Sequence, residues 1–547
     1  MKERQDNMKH FSGKTILNKI AIGPVSIYRK KKISVRREKV TDPLYERNRF
    51  ELAKSQAKKQ LQQLYEKTKE EVGKREAAIF EVHMMMMEDH DYHESIVNMI
   101  EKERMSADYA VAVTCDSFSK VFSEMDDEHM KSRADDMKDI SERLIHILND
   151  NHTSVASVKE SVILISEDLA PSEMVQMDKS KILGLVTGYG SVNSHTSILS
   201  RTMDIPALIG IDIKEEWDGK LAILDGYTGL LTIDPDKEYL EKMKGKQEEE
   251  LRKQELLKTL KGKDTVTLDG KHIKLYANIA GITDSEAARS NDAEGIGLFR
   301  SEFLYLESKT FPTESEQLHV YKSVAEKMVG KQVIIRTLDI GADKQIDYFH
   351  LDPEENPALG YRALRICLTQ QEIFKTQLRA ILRASAFGNI SVMFPMVISL
   401  EEVRKAKEIL NECKEELKQQ GMEFGEIEVG VMIETPAAVM ISDELAKEVD
   451  FFSIGTNDLS QYTLALDRQN PKLDPFYQAD HPALLKMIQM TIENGHKSGI
   501  WVGICGELAA DLDLTETFIQ MGVDELSVSP AFLLPLREKI RRMNFIK

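Results

Sequence analysis

The segment Gly190-Ser191-Val192-Asn193-Ser194-His195-Thr196-Ser197 sets one histidine in a small, polar loop, just ahead of the apolar-periodic run Ile198-Leu199-Ser200-Arg201. A helix is predicted to begin there, capped by Asn193 or Ser194, because a short polar side chain accepts a bond from an unpaired N–H of the first turn. The other free N–H groups of that turn favour an anion. A neutral imidazole nitrogen in this setting can attack phosphorus, and the amides would hold the phosphate formed. On these residues alone a surface histidine, or a second cap, stays an open alternative.

A second group of residues lies far downstream, in Gly430-Val431-Met432-Ile433-Glu434-Thr435, Phe451-Phe452-Ser453-Ile454-Gly455-Thr456-Asn457-Asp458 and Val502-Gly503-Ile504-Cys505-Gly506-Glu507. Each is a short apolar run that stops at a polar or acidic residue. A buried parallel strand reads this way when its C-terminal end opens into a site. Strands are predicted at Ile273–Ala277, Gly295–Phe299, Val333–Thr337, Ile390–Phe394, Ile427–Ile433, Phe451–Ile454, Trp501–Ile504 and Glu525–Val528, with helical segments between them. Such alternation fits a (β/α)8 barrel, whose usual length is about 250 residues and whose chemistry sits at the C-terminal strand ends. The residues found there are Arg300, Arg336, Glu434, Asn457, Asp458 and Cys505.

The elements before the barrel follow two patterns. Strand signals at Thr15 to Tyr28, Ser161–Ser166, Ile182–Val186 and Leu221–Asp225 flank a wholly helical block from about Asp42 to Asn149. Breaks near Gly73, at Asp89-His90-Asp91, near Ser106 and at Asp126-Asp127 divide that block into four or five helices of a small bundle. The bundle therefore reads as an insertion in an α/β domain. A charged stretch from Pro235 to Lys263, with Glu248–Arg252 and Glu249–Lys253 pairs four residues apart, suits a connecting helix or a solvated face. The expected division is residues 1–34 with 150–234, 35–149, a linker helix 235–263, and a barrel 264–547.

The chain has 547 residues and a formal charge of −18. That balance argues against nucleic acid and suits a basic protein partner. Cys115, Cys367, Cys413 and Cys505 are scattered, so neither a disulfide framework nor a zinc site is suggested. The polar N-terminus has no signal-peptide pattern, and no apolar run approaches the roughly 18 residues of a membrane span. A soluble, cytoplasmic protein is expected.

Taken together, these motifs resemble Enzyme I of the bacterial sugar phosphotransferase system, the phosphoenolpyruvate–protein phosphotransferases, over essentially the whole chain. The barrel motifs are shared with pyruvate phosphate dikinase and phosphoenolpyruvate synthase. The resemblance implies a swivelling phosphohistidine α/β domain with an inserted helical bundle, followed by a TIM-type barrel. It makes His195 the phosphorylated residue. It implies that Arg300, Arg336 and Arg468 hold phosphoenolpyruvate, with Asn457 and Asp458 beside them, and that Arg362 and Arg365 support the site. Glu434 and Asp458 would bind Mg²⁺; the structural alternative is a carboxylate pair bonded to the arginines alone. Cys505 would protonate the enolate, a thiol being acidic enough to give up a proton near neutral pH; its alternative is a small buried hydrophobe. A histidine-containing phosphocarrier protein would dock on the helical insertion, including Ile79 to Asp89 with its four successive methionines, some of them core. A homodimer through the barrel is expected.

The chain departs from the family pattern around the histidine. The family usually reads Gly-Gly-x-Thr-Ser-His there, a threonine that touches the histidine aligns with Met174, and an arginine of the insertion aligns with Lys138, while Arg133 and Asp136 are kept. A lost hydroxyl beside an imidazole alters its orientation and tautomer. Two rival readings are a dikinase-type enzyme, which lacks room here for a nucleotide domain, and a non-catalytic phosphoenolpyruvate sensor.

Overall fold

The computed structural model describes the chain apart from residues 1–8, 30–34, 72, 126–127, 150–159, 191–193, 307, 343, 345, 469 and 546–547. It divides into two compact units, Met1–Arg252 and Lys253–Lys547. The expected cap Asn193, with Ser191, lies outside the described residues.

In the first unit, β1 (Lys9–Ser12), β2 (Lys14–Thr15), β3 (Ile20–Ile27), β4 (Val162–Ser166), β5 (Ile182–Thr187), β6 (Ala207–Ile209), β7 (Leu221–Asp225) and β8 (Leu230–Ile233) form one sheet, ordered β1-β8-β7-β3-β4-β5-β6-β2. The run β3-β4-β5-β6 is parallel and the remaining pairs are antiparallel. Between the neighbours β3 and β4 the chain leaves the sheet for five helices: α1 (Pro43–Glu71), α2 (Lys74–Met87), α3 (His90–Glu101), α4 (Ala107–Ser123) and α5 (Glu128–Leu148). The breaks have local causes. Gly73 takes φ +143°, open to glycine, and Asp89 caps α3 by accepting from the Tyr92 N–H at 3.0 Å. Phe50, Leu61, Phe80, Tyr92 and Leu144 fill the bundle, and the same core continues through Leu164, Met174, Leu185 and Leu199 of the α/β part.

Two short helices belong to that part, α6 (Pro171–Gln176) and α7 (His195–Thr202). The charged stretch forms α8 (Lys237–Lys258). It is more than a solvated connector. Met243 is 1% exposed and packs with Ile20 and Ile223, and the Gln247 amide donates to the Ile20 carbonyl at 2.9 Å.

In the second unit all eight expected strands form, as β9 (Lys274–Ile279), β10 (Gly295–Arg300), β11 (Val333–Arg336), β12 (Ile390–Phe394), β13 (Glu428–Ile433), β14 (Phe451–Ile454), β15 (Trp501–Ile504) and β16 (Glu525–Val528). They close into a barrel of eight parallel pairs. Side chains that point inward meet in a packed layer containing Tyr276, Leu298, Ile334, Met393, Met432, Phe451 and Cys505. The fold is thus the expected one: an α/β unit with an inserted helical bundle, then a (β/α)8 barrel. Among the described residues no helix is long and apolar enough to cross a membrane.

Candidate active site

The C-terminal strand ends of the barrel open into a cavity of about 1220 Å³. Arg300, Arg336, Glu434, Asn457, Asp458, Arg468 and Cys505 all line it, joined by Arg362. Arg365 is turned elsewhere, donating to the Leu359 and Gly360 carbonyls at 3.1 and 2.7 Å.

Arg336, at the end of β11, is clamped between two acids. Its guanidinium donates to Glu302 at 2.6 Å and pairs with Asp339 at 3.0 Å. Arg362 donates to the other oxygen of Asp339 at 2.8 Å. Burial opposes charge on Asp339, yet Arg336, Arg362 and Lys344 hold its carboxyl well below the usual carboxylate range. The clamps leave donors over. The Nε atoms of Arg300, Arg336 and Arg362 are buried without a hydrogen-bond partner. Buried donors are ordinarily satisfied, so three unfilled guanidinium positions on one cavity call for an anionic ligand.

Glu434 follows β13 directly and is 1% exposed; its carboxylate accepts from the Met396 backbone N–H at 2.6 Å. Met396 reaches it from a left-handed conformation, φ +56°. Asp458, also buried, stands in the first turn of the helix Thr456–Leu464. Burial first, then the charges of Asp458 and Asp339, push the Glu434 carboxyl up to about 8, against Arg336 and the Met396 N–H. A carboxylate pair under this strain accommodates a cation. Among the described residues no three His, Cys, Asp or Glu side chains form a ready cage. Mg²⁺ does not need one, since it binds through one or two carboxylates plus water and phosphate oxygens. Gly455 makes room for the pair: a Cβ there would lie 2.8 Å from the free oxygen of Glu434.

Cys505 follows β15 and is 4% exposed. Asn278 donates to its carbonyl at 3.0 Å and so fixes this turn against β9. Asn457 is locked to Glu507, accepting from its N–H at 2.8 Å. Burial pushes the Cys505 thiol up to about 12; the Ser453 hydroxyl and Arg336 work against this, Glu525 and Glu434 with it. Desolvation therefore outweighs Arg336. The sulfur keeps its proton, which is the form a proton donor needs.

His195 opens α7 in the first unit. Ser194 is the cap, its hydroxyl accepting from the Ser197 N–H at 3.3 Å. Met174 is buried in α6 with its sulfur 4.0 Å from the Ser200 hydroxyl of α7, so this side chain packs α6 onto the histidine helix. In the bundle, Arg133 donates to Asp136 at 3.1 Å, and Lys138 pairs with Asp135 on the exposed side. Of the four methionines, Met87 is buried, Met84 and Met86 pack on the core, and Met85 is 65% exposed.

Three family models match the chain. Residues 254–545 match the PEP-utilising enzyme PEP-binding domain, 12–133 the PEP-utilising enzyme N-terminal domain, and 158–229 the PEP-utilising enzyme mobile domain. The chain belongs to the PEP-utilising enzyme family. A phosphoenolpyruvate-protein phosphotransferase of Bacillus sp. (strain S) is 42% identical over 93% of this chain and 89% of its own length. One from Priestia megaterium is 40% identical over 98% of this chain and 94% of its own. The NMR solution structure of Enzyme I (nEIt) covers 44% of this chain and 98% of its own, at 32% identity and a TM-score of 0.38. Sequence reasoning on this PEP-utilising enzyme missed Asp339, Glu302 and Met396. Asp339 lies three residues after Arg336, beyond the end of β11; nothing local marks Met396.

Proposed function

We propose that this protein is a phosphoenolpyruvate–protein phosphotransferase, moving phosphate from phosphoenolpyruvate to His195 and on to a histidine-containing phosphocarrier protein that feeds sugar uptake. The observation that carries the reading is the set of unfilled guanidinium donors beside a buried carboxylate pair on one barrel cavity. Arg300, Arg336 and Arg468 bind the phosphate and carboxylate of the substrate, with Asn457 and Asp458 beside them; Arg362 steadies Arg336 through Asp339. Glu434 and Asp458 hold Mg²⁺, which when bound neutralises charge on the phosphoryl oxygens.

In the first step a His195 nitrogen forms the new P–N bond while the P–O bond to the enol oxygen breaks, its electron pair staying on that oxygen. The enolate then takes the Cys505 proton at its methylene carbon, giving pyruvate and a thiolate. The histidine domain, residues 1–34 with 150–234, swivels between barrel and carrier, and the insertion 35–149 receives the carrier. The protein acts in the cytoplasm as a homodimer through the barrel.

Mixing the chain with phosphoenolpyruvate and Mg²⁺ and following pyruvate through lactate dehydrogenase tests this reading. A burst of one pyruvate per chain is expected. Binding without pyruvate would instead mark a sensor.

A further inference from the structure

At Cys505 a side chain takes over from the barrel ladder. β15 and β16 pair at Gly503 with Glu525 and at Ile504 with Leu526, and this pairing stops one residue before the cysteine. On the β14 side the Cys505 N–H still donates to the Ile454 carbonyl at 3.0 Å. On the β16 side the Cys505 carbonyl accepts from the Asn278 amide at 3.0 Å. Asn278 belongs to β9, the strand beyond β16, so its side chain spans the place where the pairing has ended.

The rest of this side chain is engaged as well. Its Nδ2 also donates to the Ser527 carbonyl of β16 at 3.1 Å, and its Oδ1 accepts from the Ser527 hydroxyl at 2.6 Å. Two carbonyls against one end of the amide and a hydroxyl against the other fix which end is nitrogen. Ser527 is buried, and β10 leaves it room, since a Cβ at Gly297 would lie 2.4 Å from its Oγ. Asn278 lines the cavity with the arginines. Both of its N–H groups nonetheless face carbonyls, which leaves no donor for an anionic substrate.

The thiol's own bond, to the Ile454 carbonyl at 3.6 Å, is weak, because sulfur is a poor donor. The place of the sulfur is therefore set by the backbone that carries it, and that backbone is gripped from both sides, by Ile454 and by Asn278. We propose that Asn278 is a positioning residue that holds the Cys505 turn where the thiol reaches the methylene carbon of the enolate. This rests on the reading of Cys505 as proton donor. In that step the S–H bond breaks, the proton joins the carbon, and the electron pair stays on sulfur as thiolate. A displacement of about 1 Å can cost about 10²-fold in rate, so a group that orients a reacting side chain matters although it touches no substrate.

The test is the rate of the pyruvate burst from the full chain with phosphoenolpyruvate and Mg²⁺, compared between the parent, Asn278→Leu, Cys505→Ala and the two changes together. Asn278→Leu keeps the shape and the neutrality of the side chain and removes its donors. It should slow the burst by about 10²-fold and leave phosphoenolpyruvate affinity, measured by calorimetry, at the parent value. In the Cys505→Ala background it should have no further effect, because a residue that acts through the thiol then has nothing to position. A general barrel staple would instead multiply the two losses, and that outcome overturns the proposal. A burst at the parent rate, or a loss confined to substrate affinity, overturns it too. Should Asn278→Leu fail to fold, Ser527→Ala removes the hydroxyl that orients the amide. It should slow the burst about three- to tenfold, again only where Cys505 is present, and a parent rate there overturns the proposal. Cys505→Ala tests the underlying reading separately; pyruvate formation at the parent rate in that variant would overturn both.

Discussion

Arg336 and Arg362 are held by the two oxygens of one carboxylate, Asp339, at 3.0 and 2.8 Å. All three side chains are buried, so this bridge fixes the direction of two guanidinium groups at once. Removing it leaves Arg336 to Glu302 and takes from Arg362 the carboxylate it donates to. Asp339→Ala should cost about 3–5 kcal/mol of stability, the usual penalty for breaking a buried pair from one side. Urea denaturation of the barrel transition checks this, and phosphoenolpyruvate affinity should fall with it. A loss under 1 kcal/mol would mean that water replaces the carboxylate at no great cost.

Gly455 is the least conspicuous part of the proposed metal site. Its φ of −83° suits any residue, so an alanine is not strained there. The added Cβ would nonetheless press on the Glu434 carboxylate at 2.8 Å. Gly455→Ala should fold and should bind Mg²⁺ at least about tenfold more weakly, since a displaced ligand loses roughly 1.4 kcal/mol or more. Titration calorimetry in the presence of phosphoenolpyruvate measures this.

The elevated Glu434 carboxyl makes metal binding depend on pH. With the group pushed up to about 8, the metal-free folded protein keeps a proton there that the unfolded chain has lost above its ordinary value. Stability from this group is therefore full at low pH and declines as pH rises toward 8. Mg²⁺ needs the carboxylate, so its binding releases a proton and tightens as pH rises to about 8, then levels off. Calorimetry in buffers of different ionisation enthalpy should show proton release at pH 7 that vanishes above pH 9. Equal release at both would place the proton on another group.

Much of this was legible in the chain. The eight barrel strands are short apolar runs ended by chemistry-bearing residues, and each formed within a residue or two of its expected bounds. The helix breaks at Gly73 and Asp89 carry their own turn and cap chemistry. What stayed hidden depends on residues brought together by the fold. The packing of Met243 on Ile20 and Ile223 is invisible in a stretch dominated by charge. The Met396 N–H contact to Glu434 is a backbone contact with no side-chain signature. The raised thiol of Cys505 has no trace in the local Gly-Ile-Cys-Gly context, because desolvation is a property of the closed barrel.

Cys505→Ala should slow pyruvate formation by about 10²–10⁴, the usual contribution of positioned proton transfer. Phosphoenolpyruvate binding should hardly change, because the arginines supply it. Phosphate exchange between His195 and the carrier should also persist, as no carbon acid takes part. Equal damage to both half-reactions would give Cys505 a packing role only.

The central claim is that His195 receives phosphate from phosphoenolpyruvate. Incubation of the full chain with ³²P-labelled phosphoenolpyruvate and Mg²⁺, followed by acid treatment and peptide mapping, tests it directly. The account predicts label on the His195 peptide, lost in acid and stable in base, and none in a folded His195→Ala variant. Acid-stable label on Ser194 or Thr196, or label that survives in the alanine variant, would contradict it.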